Sequence, residues 1–279
     1  MSTNLLSFDG KILTVGGNAL SISSDPYNPL YLPPYTMRFR FYQNDFDPTT
    51  VSDPSWPSSA VWTKVTGESN NVWDFTYENP VWEETPYSSV HYGSIFHALN
   101  ESSQLYLVMG ANTTGVTSMK YLFNFGNLYY ISNAFDMSTV VTTENMFSYC
   151  IYLTNMPATF DFSSVQRISD MFNHCQELTA IPDFDFSSAV NMVSSLCEDC
   201  TKLTAVPDFT FSVNNITLAD RMFRGCGAVE SGALAMYNKL SASTSIISHS
   251  WTFGGCGSDT VSGAQELAQI PSSWGGTGA

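Results

Sequence analysis

The stretch Asn145–Ser164 reads NMFSYCIYLTNMPATFDFSS, and it returns as DMFNHCQELTAIPDFDFSS at Asp170–Ser188 and as SLCEDCTKLTAVPDFTFSV at Ser195–Val213. A degraded copy, YLFNFGNLYYISNAFDMST, precedes them at Tyr121–Thr139, and a shortened one, RMFRGCGAV, follows at Arg221–Val229. Each unit sets a phenylalanine or its equivalent three residues before a cysteine. A Leu-Thr pair, a proline and an aromatic, acidic, aromatic, serine run come next. A fixed period of 24 to 26 residues predicts stacked units, because one such unit cannot bury its own apolar face and needs its neighbours. The expectation is therefore a scaffold that presents surface.

Residues at one slot of successive units sit above one another in such a stack. Cys150, Cys175, Cys200 and Cys226 form one column; Leu153, Leu178 and Leu203, continued by Val229, form a second. Pro157, Pro182 and Pro207 form a third, and Phe162, Phe186 and Phe211 a fourth. Phe147, Phe172 and Phe223 precede the cysteines as core residues. Val165, Ile168, Met171 and Phe172 recur at helical spacing and predict one or two irregular helical turns; Leu178–Ile181 and Leu203–Val206 suit short strands.

The pattern V-x-x-M-x-x-M-F-x-x-C-x-x-L-T-x-x-P resembles the BspA-type leucine-rich repeats of bacterial surface proteins and of phage proteins. The resemblance covers Asn112 to Val229, and the tail from Ser248, SHSWTFGGCGSDTVSGAQELAQIPSSWGG, is similar to a closing segment of gut-microbial members. It implies an α/β leucine-rich-repeat-like solenoid, short and capped, of about 4–5 coils. It also implies adhesion or surface display and brings no catalytic residues. Leu196 and Cys197 depart from the Met-Phe pair, and Gly126 stands where the first cysteine is expected.

The first 111 residues have another character. They hold nine of the 13 prolines and four of the six tryptophans, and Met37, Phe39 and Phe41 alternate with Arg38, Arg40 and Tyr42. Short strands bounded by turn residues predict a small β-rich, sandwich-like domain over 1–111 that docks and covers the open end of the stack. The solenoid then occupies 112–279, its C-terminal cap begins near residue 230, and the join falls in Gly110–Ser118.

A net charge of −15 repels phosphate backbones and anionic lipid, which argues against nucleic-acid partners. No run of about 18 apolar residues spans a bilayer. The opening MSTNLLSFDGKILTVGGNALS lacks a basic start before an apolar stretch, so an export signal is not expected there. That favours a virion protein, bound to capsid or tail subunits and itself oligomeric, over a bacterial cell-surface adhesin. A host surface protein or glycan is the expected distal partner.

The cysteines read as small core hydrophobes, and Cys197-x-x-Cys200 lacks the second pair or spaced histidines that zinc needs. Asp136, Asp161 and Asp185 share one slot and Asp183 and Asp208 another, where turn capping is expected over cation binding. No nucleophile elbow, phosphate loop or apolar-walled carboxylate pair occurs, so no cofactor or metal is expected and a glycan-active hydrolase is the remotest class. Trp62, Trp73 and Tyr77 lie in strand-like runs and read as core. Trp56, Trp82 and Tyr87, in proline-rich loops, are the contact candidates.

Overall fold

The computed structural model describes residues 32–42, 46–50, 59–66, 71–82, 96, 99, 105–132 and 135–278, with the backbone of 5–8 and 11–14. Strands β1 (Leu5–Phe8) and β2 (Lys11–Thr14) pair antiparallel. A five-stranded sheet follows from β3 (Thr36–Phe41), β4 (Val61–Lys64), β5 (Asn71–Thr76), β6 (Tyr106–Asn112) and β7 (Leu128–Ile131), in the order β4-β5-β3-β6-β7. Neighbouring strands from β4 to β6 pair antiparallel, and β7 runs parallel to β6. The alternation in β3 sends Met37, Phe39 and Phe41 to the core. Arg38 instead meets the Asp74 carboxylate through two nitrogens, at 2.6 and 2.9 Å, a paired geometry that lets a guanidinium be buried.

Beyond β6 the chain winds into rungs. Among the described residues, six share one geometry: 121–126, 145–150, 170–175, 195–200, 221–226 and 251–256. Within a rung the backbone N–H groups alternate their targets. Ser148 and Cys150 donate to the third residue back, Asn145 and Phe147, at 3.2 and 2.9 Å. Phe147 and Tyr149 donate across to Met171 and Asn173 of the next rung, at 2.9 and 2.7 Å.

This alternation needs two left-handed residues per rung, four positions apart, and every rung supplies them. Asn145 and Tyr149, Asp170 and His174, Ser195 and Asp199, Arg221 and Gly225 all have φ between 52° and 73°. An α-helix tolerates no such residue, so the helical turns expected around Val165–Phe172 are hydrogen-bonded turns instead. The strain of each left-handed side chain is offset by a cross-rung bond that a helix would not make. At Gly225 a Cβ would lie 1.9 Å from Asp199 Oδ1, so a side chain there has to move that carboxylate aside.

The two described α-helices, α1 (Ala233–Ser241) and α2 (Val261–Leu267), follow the repeats. Strands within the repeats also fall elsewhere than expected. Leu178–Ile181 and Leu203–Val206 form none; β8 (Asp185–Phe186) pairs in parallel with β10 (Thr210–Phe211), and β9 (Asn191–Met192) with β11 (Ile216–Leu218). Pro182 and Pro207 lack the N–H that would extend a ladder past the Leu-Thr slot. There Thr204 makes the link, its N and Oγ1 both donating to Thr179 O at 3.1 Å.

Side chains stack as the backbone does. Phe96, Phe123, Phe147 and Phe172 lie near-parallel with centroids 5.6, 5.6 and 5.7 Å apart. Phe162, Phe186 and Phe211 form a second column at 5.5 and 5.9 Å. Burying one such ring contributes about 1.5–3 kcal/mol, and the rungs above and below supply part of each ring's cover.

The stack is closed at both ends. Phe96 sits 5.1 Å from Phe39 and 4.9 Å from Phe75, so the apolar face of the sheet covers the first rings. The ladder continues at the far end, where Phe253 N donates to Trp274 O at 2.9 Å. The expected junction at Gly110–Ser118 lies inside this packing: β6 reaches Asn112, β7 comes from the degraded repeat, and one buried cluster runs from Met37 to Trp274.

Candidate functional site

Strand β7 departs from regular pairing. Tyr106 is opposite Leu128 but Leu107 is opposite Tyr130, which leaves Tyr129 as an extra residue, a β-bulge. Leu128 and Ile131 are both buried, and Tyr129 and Tyr130 are both exposed. Regular alternation would send one of the two tyrosines inward, whereas a bulge re-aims both.

The next rung enlarges this surface. Thr154 N donates to Tyr129 O at 3.1 Å, which sets the segment after Cys150 beside β7 and exposes Ile151 and Tyr152 there. Tyr42 stands edge-on to Tyr129 with centroids 5.7 Å apart. Phe125 stacks on Tyr149 at 4.4 Å, and Tyr149 on His174 at 4.2 Å. Tyr42, Phe125, Tyr129, Tyr130, Ile151 and Tyr152 are each 37–54% exposed, an aromatic corner; among the described residues the Trp251 ring of the last rung is exposed as well, at 62%. Its backbone edge is closed, because Asn155 Oδ1 accepts from Ile131 N at 3.1 Å and Asn155 Nδ2 donates to Ile131 O at 2.9 Å. What remains to bind with is therefore side chains. The Tyr42 phenol is pushed up by burial first and by its neighbour Tyr129, with Arg40 opposing.

The groups that chemistry would need are engaged in structure. The thiols of Cys150, Cys175, Cys200 and Cys226 donate to the carbonyls of Phe123, Phe147, Phe172 and Cys197 at 3.0–3.1 Å. All six cysteines are buried and unpaired; burial pushes Cys150 and Cys226 far up and Cys256 to about 12, so none of these three is poised as a thiolate. Asp136, Asp161 and Asp185 each accept the backbone N–H two residues on, from Ser138, Ser163 and Ser187, at 3.0, 3.0 and 2.8 Å. The side chains of Ser138 and Ser163 first, and then these backbone bonds, hold the Asp136 and Asp161 carboxyls below the ordinary range.

Asp170 is pushed the other way, by burial first and then by Glu198 and Glu144, while Asn173 Nδ2 donates to it at 3.1 Å. Glu198 in turn meets Arg224 at 2.7 Å, and Glu144 lies 3.4 Å from Lys120. No group of three ligating side chains among the described residues has metal-holding geometry.

Of the expected contact residues, Trp56 and Tyr87 lie outside the described residues. Trp82 is a correction: it is fully buried, its Nε1 donates to Tyr77 O at 3.2 Å, and its ring meets Phe75 edge-on at 6.2 Å. Pro80 prepares this placement, since its carbonyl is taken by Thr117 of the first coil and draws the following residues in. Trp73 and Tyr77 are buried and Trp62 half-buried. Phe147, Cys150, Leu153, Phe172, Cys175, Leu178, Cys200, Leu203, Phe223 and Cys226 are all inaccessible to solvent. Two further rung segments were not expected. Leu99 N donates to Phe96 O as Cys150 N does to Phe147 O, and Phe253-x-x-Cys256 repeats the Phe-x-x-Cys spacing inside the expected cap.

Two overlapping segments of the chain, residues 94–207 and 117–237, match the family model described as Mycoplasma protein of unknown function, DUF285; together they cover more than half of the sequence. The first begins two residues before Phe96, where the stacked rings begin. No curated protein and no solved structure matches the chain. With five of its six described rungs inside the matched span, the chain belongs to the DUF285 family.

Proposed function

We propose that this protein is a non-enzymatic structural and interaction protein, a short BspA-like solenoid that displays the aromatic corner as an attachment surface. The observation that carries the reading is the bulge at Tyr129. It exposes two adjacent tyrosines side by side, and solvated aromatic area of this kind is suited to contact. The thiols and most carboxylates serve backbone carbonyls, turns and ion pairs, which supports a scaffold over a catalyst.

The setting we propose is the surface of a bacteriophage virion, with the N-terminal region docked on capsid or tail subunits. A second setting, the bacterial cell surface, is favoured by one observation: the family carries the name of a bacterial genus. Quantitative mass spectrometry of purified particles and of cell envelopes separates them. Fixed stoichiometry in particles supports the first, and enrichment in envelopes alone transfers the protein to the second. The attachment role is tested by the Tyr129→Ala/Tyr152→Ala double variant, which should lose surface adsorption and keep its melting temperature.

A further inference from the structure

We propose that Cys197 and Cys200 are a redox pair: folded in oxidising surroundings, this protein closes one disulfide between them and keeps its other thiols free. The structure is the dithiol form, with all six cysteines unpaired. Cys150, Cys175, Cys200, Cys226 and Cys256 hold the same slot of successive rungs, and Cys197 alone stands in the phenylalanine slot. Its rung is therefore the one that carries two thiols.

Geometry selects this pair. Cys200 N donates to Cys197 O at 3.4 Å; a turn closed in this way keeps its end Cα atoms within about 7 Å, and a disulfide spans about 4.4–6.8 Å. Both side chains are buried in the core, and the Cys197 thiol is hydrogen-bonded to that of Cys200. Column neighbours fit less well. Cys175 and Cys200 donate to Phe147 O and Phe172 O, so their sulfurs point the same way along the stack, whereas a disulfide needs side chains that converge. Closing the Cys197–Cys200 bond removes the Cys200 donor from Phe172 O and leaves intact the bond from Cys226 Sγ to Cys197 O at 3.0 Å. The rung gives up its thiol tie to one neighbour and keeps the tie to the other.

The oxidant is a small disulfide, oxidised glutathione, and it acts before the rung packs. In an unfolded chain a cysteine titrates near its ordinary value of about 8.5, so thiolate is at hand. One thiolate of the pair attacks the glutathione disulfide and releases one glutathione thiolate; the second attacks the mixed disulfide and releases the other. Two S–H bonds are lost, one S–S bond forms, two protons go to solvent or to the released thiolates, and the two electrons leave on two reduced glutathiones. After folding, burial pushes the Cys197 thiol far up and keeps reagents out, so the state set during folding persists. A chain folded in a reducing cytoplasm keeps all six thiols, and one exported before it folds carries the bridge.

The test is refolding of the full chain from urea, once with dithiothreitol and once with oxidised and reduced glutathione, followed by alkylation in denaturant and peptide mass mapping. With dithiothreitol all six cysteines should be alkylated. With glutathione, Cys197 and Cys200 should be joined, the other cysteines alkylated, and the far-ultraviolet circular dichroism that of the reduced protein. Cys197→Ala should have every remaining cysteine alkylated under both conditions. Export of the chain to an oxidising bacterial periplasm should give the bridged pattern directly, so the outcome does not hang on recovery from urea. Full alkylation of the glutathione and periplasmic samples overturns the proposal. So does a bridge or a glutathione adduct on Cys150, Cys175, Cys226 or Cys256, or loss of the native dichroism when the bridge forms.

Discussion

Cys175 Sγ donates to Phe147 O, 3.1 Å away on the preceding rung, and the same bond recurs from Cys150 to Phe123 and from Cys200 to Phe172. Each thiol ties one rung to the next at a carbonyl that water cannot reach. Cys175→Ala removes both the donor and a packed sulfur, and it should destabilise by about 1–2 kcal/mol, read from urea unfolding. In the native state none of the six thiols should react with an aromatic disulfide reagent at pH 8; all six should react in denaturant. Fast native labelling of Cys150, Cys175 or Cys200 would contradict the inward column.

Asp170 gives a pH prediction of opposite sign to most carboxylates. Its folded pKa is raised by burial and by Glu198 and Glu144. Its contribution to stability is therefore fully present below the unfolded value of about 3.9 and is lost as pH rises through the folded pKa. At neutral pH it is a liability. Asp170→Asn should raise the melting temperature at pH 7 and leave it unchanged below about pH 4. Asparagine suits the left-handed backbone there, as Asn145 shows in the equivalent position at φ 57°.

Asp161 should behave in the usual sense. Ser163 holds its carboxyl below the ordinary range, so its stabilisation is present above the unfolded pKa and is lost as pH falls through the folded one. Asp161→Ala should cost about 0.5–1 kcal/mol at pH 7, and the difference from wild type should close in acid. A thermal-melt series from pH 7 to pH 2 reads both effects.

The columns were legible in the sequence because a stack places like on like. Cys150, Cys175 and Cys200 recur at the same slot as residue types, and so do Phe162, Phe186 and Phe211. The left-handed slots were not legible. Phe125, Tyr149, His174, Asp199 and Gly225 share one backbone conformation and no side-chain chemistry, since the cross-rung bonds select the conformation, not the residue. Phe253–Cys256 was hidden by the glycines after it and by the missing Leu-Thr pair, and Phe96–Leu99 by leucine in the cysteine slot. The aromatic corner depends on a bulge set by pairing with β6, a partner that local pattern does not reveal. Trp82 misled because proline usually marks an exposed loop, whereas here Pro80 hands its carbonyl to the first coil.

Cys197 offers the sharpest test of the packing. It stands where the other rungs carry phenylalanine, so a sequence average of the repeats recommends Cys197→Phe as stabilising. The structure predicts the reverse. The ring column does not stop at Cys197 but goes round it. Phe172 meets Phe184 at 6.5 Å, Phe184 meets Phe186 at 6.1 Å, Phe186 meets Phe209 at 5.1 Å, and Phe209 meets Phe223 at 6.4 Å. Cys197 is itself fully buried, and its carbonyl accepts the Cys226 thiol at 3.0 Å. A ring at position 197 must displace part of this detour, and overpacking of a filled core costs about 1–3 kcal/mol. Chemical denaturation of Cys197→Phe should show that loss, and the Cys197→Phe/Phe209→Leu double variant should recover part of it by vacating space. A single variant as stable as wild type would mean that room for the ring already exists beside Cys197.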